Sequence, residues 1–175
     1  VPASFLVREE TRFCSLCLHE DDAGQAHPGI ARRDRLTWSL RVVTTCPRHN
    51  LALILRAREH RENMLHKLAL HVPEQDEQLV ALARGAARRE PSPLQTYVLS
   101  RLDGQKGPEW LDGQSLEQAV QATQMLGMTF AFGADVRLGS VDRDGWDLAG
   151  RMGRERVLKG KMGLHAALRL LQDAA

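Results

Sequence analysis

The sequence predicts a mainly α-helical protein, with a small N-terminal zinc-knuckle module that holds a short strand or irregular segment, followed by a bundle of about six helices. Two observations predict it. Cys14-Ser15-Leu16-Cys17 and Cys46-Pro47-Arg48-His49 form two Cx2(C/H) knuckles that use all three cysteines of the chain. Each knuckle puts two ligands on a tight turn, a spacing that tetrahedral zinc can clasp. Beyond them, apolar residues recur at helical spacing between N-cap and stop signals almost to the C-terminus.

The knuckles come first. The 28 residues between them (18 to 45) exceed the roughly 12 of a C2H2 finger, so this is a different two-knuckle module. Cys14, Cys17, Cys46 and His49 are the expected ligands of one structural Zn2+. His27, lying between the knuckles, is the one alternative histidine. Free thiols in a reducing compartment are the competing reading, and it leaves the paired spacing unexplained. Three cysteines cannot all pair, which argues against a secreted disulfide scaffold.

Glu20-Asp21-Asp22-Ala23-Gly24 reads as an acidic turn. From Leu36 to Val42 the apolar residues 36, 38, 40 and 42 alternate with Thr37, Ser39 and Arg41, which favours a strand with one buried face. Leu36, Leu40 and Val43 also fit a helical stripe. Trp38 is expected in the core. A helix is expected over 58–70, ended before Pro73, and another over Asp76 to Arg89 with its acids first and Arg88-Arg89 last. Ser92-Pro93 opens the next helix, with Leu94, Tyr97, Val98 and Leu102 as its stripe and Gly104 as its close. Ser115-Leu116-Glu117-Gln118 is a capping box, and the helix it begins is expected to stop at Gly127. Two last helices run from about Asp144 to Lys159 and from about Met162 to Leu171, divided at Gly160. The expected organisation is a zinc-binding module at 1–55, connecting helices packed on it at 56–90, and a helical domain at 91–175.

A net charge of +2 hides an uneven distribution. Between Gly29 and Arg61 stand eight arginines against Asp34 and Glu59, a local +6. Arginine forks onto phosphate, so Arg32, Arg33, Arg35, Arg41, Arg48, Arg56 and Arg58 are the candidate DNA contacts. A solvated face with ordinary ion pairs is the alternative. No segment is long and apolar enough to span a membrane, and Val1 to Leu6 is too short for the apolar core of a signal peptide. The chain starts without Met only 13 residues before its first knuckle, so it is expected to be a piece of a longer protein.

Motifs of catalysis are missing. There is no H-E-x-x-H, no H-x-E with P-C-x-x-C, no G-x-S-x-G, no Walker A and no dinucleotide fingerprint. Four protein ligands would also close a tetrahedral zinc to water and substrate. The chain is therefore not expected to be an enzyme.

Arg12-Phe13-Cys14-Ser15-Leu16-Cys17-Leu18-His19-Glu20-Asp21 resembles the opening of the TniQ family of transposition proteins, an aromatic before C-P-x-C-L-x-E-D. Arg35-Leu36-Thr37-Trp38 and Thr45-Cys46-Pro47-Arg48-His49-Asn50-Leu51-Ala52-Leu53 resemble its R-x-x-W and C-P-x-H-G-x-x-L. Ser15 replaces the usual Pro and Asn50 the usual Gly. Neither change removes a ligand, and Asn tolerates the left-handed backbone best after Gly. The resemblance is strong over 12–53 and looser after 90.

The resemblance implies a DNA-associated adaptor that helps choose a transposon's insertion target. Such proteins bind target DNA or an RNA-guided effector and recruit a regulatory AAA+ ATPase. It also implies helix-turn-helix-like parts. The segment from Ser115 to Gly139 invites that reading, but its turn lengths fit poorly, and Val120, Leu126 and Met128 read as core. A protein–protein adaptor with a structural zinc and no DNA contact is the alternative, its helical half docking an ATPase or forming a homodimer. The expected location is the cytoplasm, at the nucleoid.

Overall fold

Contacts in the computed structural model divide the chain into two compact units, Val1–Pro91 and Ser92–Ala175. Residues 5–7, 9–27, 29–58 and 68–173 are described.

In the first unit, β1 (Glu10–Phe13) runs straight into α1 (Ser15–Asp22). A hairpin follows from β2 (Thr45–Cys46) and β3 (Leu51–Ala52), and then β4 (Ile54–Ala57). β1 pairs antiparallel with β4, Phe13 opposite Ile54, and β2 with β3, Cys46 opposite Leu51. Strands flanking the two knuckles are thus hydrogen-bonded to each other, and this places the knuckles side by side. Phe13, Leu18, Leu53 and Leu79 are fully buried beneath them. Leu79 belongs to α2 (Asp76–Gly85), whose first turn carries Asp76 and Glu77 as the macrodipole prefers.

Three expectations for this unit are corrected, and a fourth falls mostly outside the described residues. The strand over Leu36 to Val42 is instead a 3-10 turn, Leu36–Ser39, followed by a single bridge between Leu40 and Leu6. Trp38, Leu40 and Val42 are buried as the alternation requires, but Leu36 is 88% exposed. Trp38 N donates to Arg35 O and Leu40 N to Thr37 O, as in a turn. Among the described residues, the only backbone bonds to another segment are those of the bridge, Val7 N to Ser39 O and Arg41 N to Phe5 O, so no ladder extends along it. The acids Glu20, Asp21 and Asp22 form the last turn of α1 rather than a loop, and the turn proper falls on Gly24 at φ +77°. α2 ends at Gly85, four residues before Arg89, because Arg88 bridges to Leu51 and Arg89 N donates to Asn50 O. The edge of the hairpin thus captures a stretch that its charges had suggested for a helix end. The helix expected over 58–70 lies mostly at 59–67, outside the described residues; Leu68–Leu70 is a short 3-10 turn.

The second unit is helical throughout its regular structure. α3 (Pro93–Leu102) starts as expected, with Ser92 Oγ accepting from Gln95 N at 3.2 Å and Pro93 in the first turn. A short α4 (Glu109–Asp112) precedes α5 (Leu116–Phe132), whose capping box at Ser115 and Gln118 closes in both directions. α6 (Arg143–Val157) and α7 (Gly160–Asp173) meet at Gly160, where φ of +62° turns the chain. The core collects Leu94, Val98, Leu111, Val120, Met128 and Ala149. Tyr97 ties α3 to α4 through its hydroxyl, 3.0 Å from Asp112 Oδ1, and the buried Arg154 guanidinium stacks 4.4 Å from its ring. Burial, with Asp112 accepting its proton, holds the Tyr97 hydroxyl above its ordinary pKa despite Arg101 nearby.

Gly127 does not stop α5, which runs on to Phe132. It is buried where α5 crosses α6, and a Cβ there would lie 1.7 Å from the carbonyl oxygen of Ala149. Its missing side chain serves helix packing, not termination. Seven α-helices among the described residues make the protein mainly helical, as the sequence predicts. No helix among those residues is long and apolar enough to cross a membrane.

Candidate metal centre

Cys14 is the last residue before α1, in extended backbone, and Cys17 lies in the first helical turn. The i, i+3 relation on a helix start aims both sulfurs the same way. Cys46 ends β2, and His49 lies in the turn that returns the chain to β3. Asn50 closes that turn at φ +51°, with its N–H donating to Cys46 O at 2.9 Å. The left-handed conformation expected where Asn stands for Gly is therefore present.

The ligand atoms of Cys14, Cys17, Cys46 and His49 all lie within 4.8 Å of one another, the three cysteines buried. His49 Nδ1 is 3.4 Å from Cys14 Sγ, 3.4 Å from Cys17 Sγ and 3.6 Å from Cys46 Sγ, and Cys17 Sγ is 3.6 Å from Cys46 Sγ. Tetrahedral zinc with bonds of about 2.3 Å to sulfur and 2.0 Å to nitrogen gives edges of about 3.5–3.8 Å. The donors therefore fit the ion in number, type and spacing. His27 is exposed and outside the cluster.

The protons tell the same story. Mutual hydrogen bonds among the sulfurs, with burial, push the Cys17 thiol up, whereas those to Cys14 and Cys17 hold Cys46 down. Three sulfurs this close cannot all be anionic without a cation among them.

Around the cluster the last turn of α1 gathers the arginines. Glu20 Oε2 meets Arg48 at 3.2 Å, and Asp21 Oδ1 meets Arg35 at 3.2 Å. Asp22 Oδ2 meets Arg32 at 2.7 Å in a buried pair. Arg35 also lies 4.9 Å over the ring of Trp38, which is 3% exposed and so serves the core. Arg58 Nε donates to Thr11 Oγ1 at 3.1 Å. Arg33, Arg41, Arg48 and Arg56 are exposed. The structure thus commits Arg32 and Arg35 to internal pairs.

Two arginines outside the sequence expectation hold the module together. Buried Arg12 donates through Nη1 to the carbonyls of Arg41 and Val43, both at 3.2 Å, and pairs with Glu10. Arg89 donates to Thr45 Oγ1 at 3.0 Å and Thr44 O at 3.1 Å. Nothing in either residue's neighbours in sequence announces this, since both acceptor sets lie about thirty to forty-five positions away.

Asp22 carries a pH dependence. Burial alone would raise its carboxyl, but the Arg32 guanidinium and the Gly29 N–H outweigh it and hold the pKa below the ordinary value. The stabilisation is full above the unfolded carboxylate pKa of about 3.9 and is lost as pH falls through the lower folded value. Asp22→Asn should destabilise the protein by about 1–3 kcal/mol at pH 7, because the Arg32 guanidinium loses its counter-charge but keeps the carbonyls of Pro73 and Glu74. Its stability should fall less steeply than wild type below about pH 4. Urea unfolding across pH checks both, and parallel curves would refute the assignment.

No curated protein and no solved structure matches the chain. Residues 1–53, which hold all four clustered side chains, match the TniQ family model, so the similarity to that family covers this part of the chain.

Proposed function

We propose that the chain is a zinc-stabilised adaptor of a transposition system that binds target DNA and recruits a regulatory AAA+ ATPase, an RNA-guided effector being the other partner the reading admits. One observation carries it: three thiols and an imidazole at tetrahedral spacing inside a segment matching TniQ. Cys14, Cys17, Cys46 and His49 would hold one Zn2+, whose bound form cross-links the two knuckles. The role is structural, because four protein ligands leave the ion no open position.

DNA contact falls to the arginines that project outward. Arg33, Arg41, Arg48 and Arg56 take the phosphate role, with Arg58 beside them. Arg32 and Arg35 act indirectly, by pinning the segment that carries Arg33 onto α1. The acids of α1 favour the second reading, a protein–protein adaptor without DNA contact, because they neutralise part of the basic cluster.

Titration of a labelled duplex at low and at physiological salt separates the two. Three or four phosphate contacts give a log–log salt slope of about −3 to −4, and each arginine removed lowers the slope by about one. Arg33/Arg56→Ala should weaken binding and lower the slope by about two while leaving zinc content and folding unchanged. Absence of binding at low salt would give the protein adaptor.

A further inference from the structure

Histidine offers a metal either of two nitrogens, and the choice is made by whatever holds the other. His49 Nδ1 faces the three sulfurs at 3.4–3.6 Å. Its Nε2 lies 3.0 Å from Glu20 Oε1. Resting on the zinc reading above, we propose that Glu20 is the positioning residue that selects Nδ1 of His49 as the metal-binding nitrogen.

The argument is one of donors and acceptors. An ionised carboxylate only accepts, so the single proton of a neutral imidazole must sit on Nε2 to satisfy it. That leaves the Nδ1 lone pair directed at the thiolates' common centre. Carboxylate–histidine–metal arrangements of this kind fix the ring's tautomer and orientation and raise its basicity.

Glu20 is itself held. Its second oxygen accepts from Arg48 Nη1 at 3.2 Å, and Arg48 precedes His49 in the same turn. Three thiolates on Zn2+ carry a net −1, and a lone carboxylate beside them would add to it. Arg48 cancels that addition. The Glu20 and Arg48 side chains are 38% and 65% exposed, so their ion pair contributes little by itself and acts through geometry. One helix thereby supplies two ligands, Cys14 at its start and Cys17 in its first turn, together with the carboxylate that orients a ligand arriving from the hairpin.

The test uses the full chain loaded with zinc. Long-range proton–nitrogen correlation of the histidine rings in the wild type should find His49 metal-bound at Nδ1 and protonated at Nε2. In chelator competition, Glu20→Ala should lose zinc affinity by about 10–100-fold. Glu20→Gln should recover part of the loss, because its amide oxygen still accepts from Nε2–H. Arg48→Ala should fall nearer the wild type than Glu20→Ala does. Cobalt substitution, read by its thiolate charge-transfer bands, reports whether the ligand set persists in each variant. Metal on Nε2 in the wild type would overturn the inference without any variant having to fold. So would a Glu20→Ala protein with unchanged affinity and an unchanged ring signature. A wild type that holds no zinc would instead overturn the metal reading, and this inference with it.

Discussion

Cys46→Ser is expected to empty the metal site and to lower sharply the melting temperature of the unit that contains it. Zinc binding to four such ligands supplies apparent free energies of about 10–16 kcal/mol in finger peptides, most of it as folding energy. The rest of the unit has little to set against its loss. Its ladders are a four-residue pair of strands and a two-residue pair, joined by a core around Phe13, Leu18, Leu53 and Leu79. Serine keeps the size but offers a hydroxyl in place of a thiolate, a poor ligand for a soft site. Cys14→Ser should act alike, since it removes an equivalent donor from the other knuckle. His27→Ala is the control and should retain its zinc. Metal content by mass spectrometry, beside thermal melting, decides the matter: unchanged zinc in either cysteine variant sinks the ligand set, and zinc loss in His27→Ala would mean the wrong histidine.

Gly127→Ala should destabilise the second unit by at least about 3 kcal/mol, the upper range of overpacking costs. Its added Cβ would stand 1.7 Å from Ala149 O and 2.7 Å from Gly153 N. Gly153→Ala should behave alike, with its Cβ 1.9 Å from Thr123 O. All these neighbours are backbone, so no rotamer change relieves the clash. The helices must separate, and the buried contacts of Thr123, Met128 and Ala149 go with them. Alanine's helix propensity returns only about 1 kcal/mol. Gly113 gives the contrast: its φ is −67° and its nearest neighbour to a new Cβ is 3.5 Å away. Gly113→Ala should therefore be neutral or slightly stabilising. Denaturant unfolding measures all three, and a cost below about 1 kcal/mol at Gly127 would refute the close-crossing account.

The two glycines also mark where a sequence stops being legible. Ser92-Pro93 and the Ser115 box announce helix starts because a cap is a local device, complete within four residues. The knuckles are legible for the same reason, each pair of ligands being three apart. Gly127 reads as a stop from its own helix alone, and only the partner helix reveals that it is a point of contact. The alternation at 36–42 fixes which side chains go inward, and Trp38, Leu40 and Val42 do. It does not fix the hydrogen bonds, which here are a local turn and a single bridge rather than a ladder. The arginines are the extreme case. Whether Arg32 faces solvent or a buried acid depends on Asp22, ten positions away, and no periodicity encodes that pairing. α1 left no apolar stripe to read; the cluster and the core hold it in place.

The acidic end of α1 bears on the order in which the module can assemble. Joining Cys17 to Cys46 closes a span of 29 residues, and the entropy lost in closing a flexible chain grows with the logarithm of its length. Asp22 and Arg32 close only 10 residues, and Asp21 and Arg35 close 14. Once those two contacts stand, the stretch left to find its way to the metal is the short run from Arg35 to Cys46. Glu20, Asp21 and Asp22 thus shorten the search that the second knuckle makes for the first, and chain added at Gly24 would lengthen a loop already tied off rather than the path to the ion.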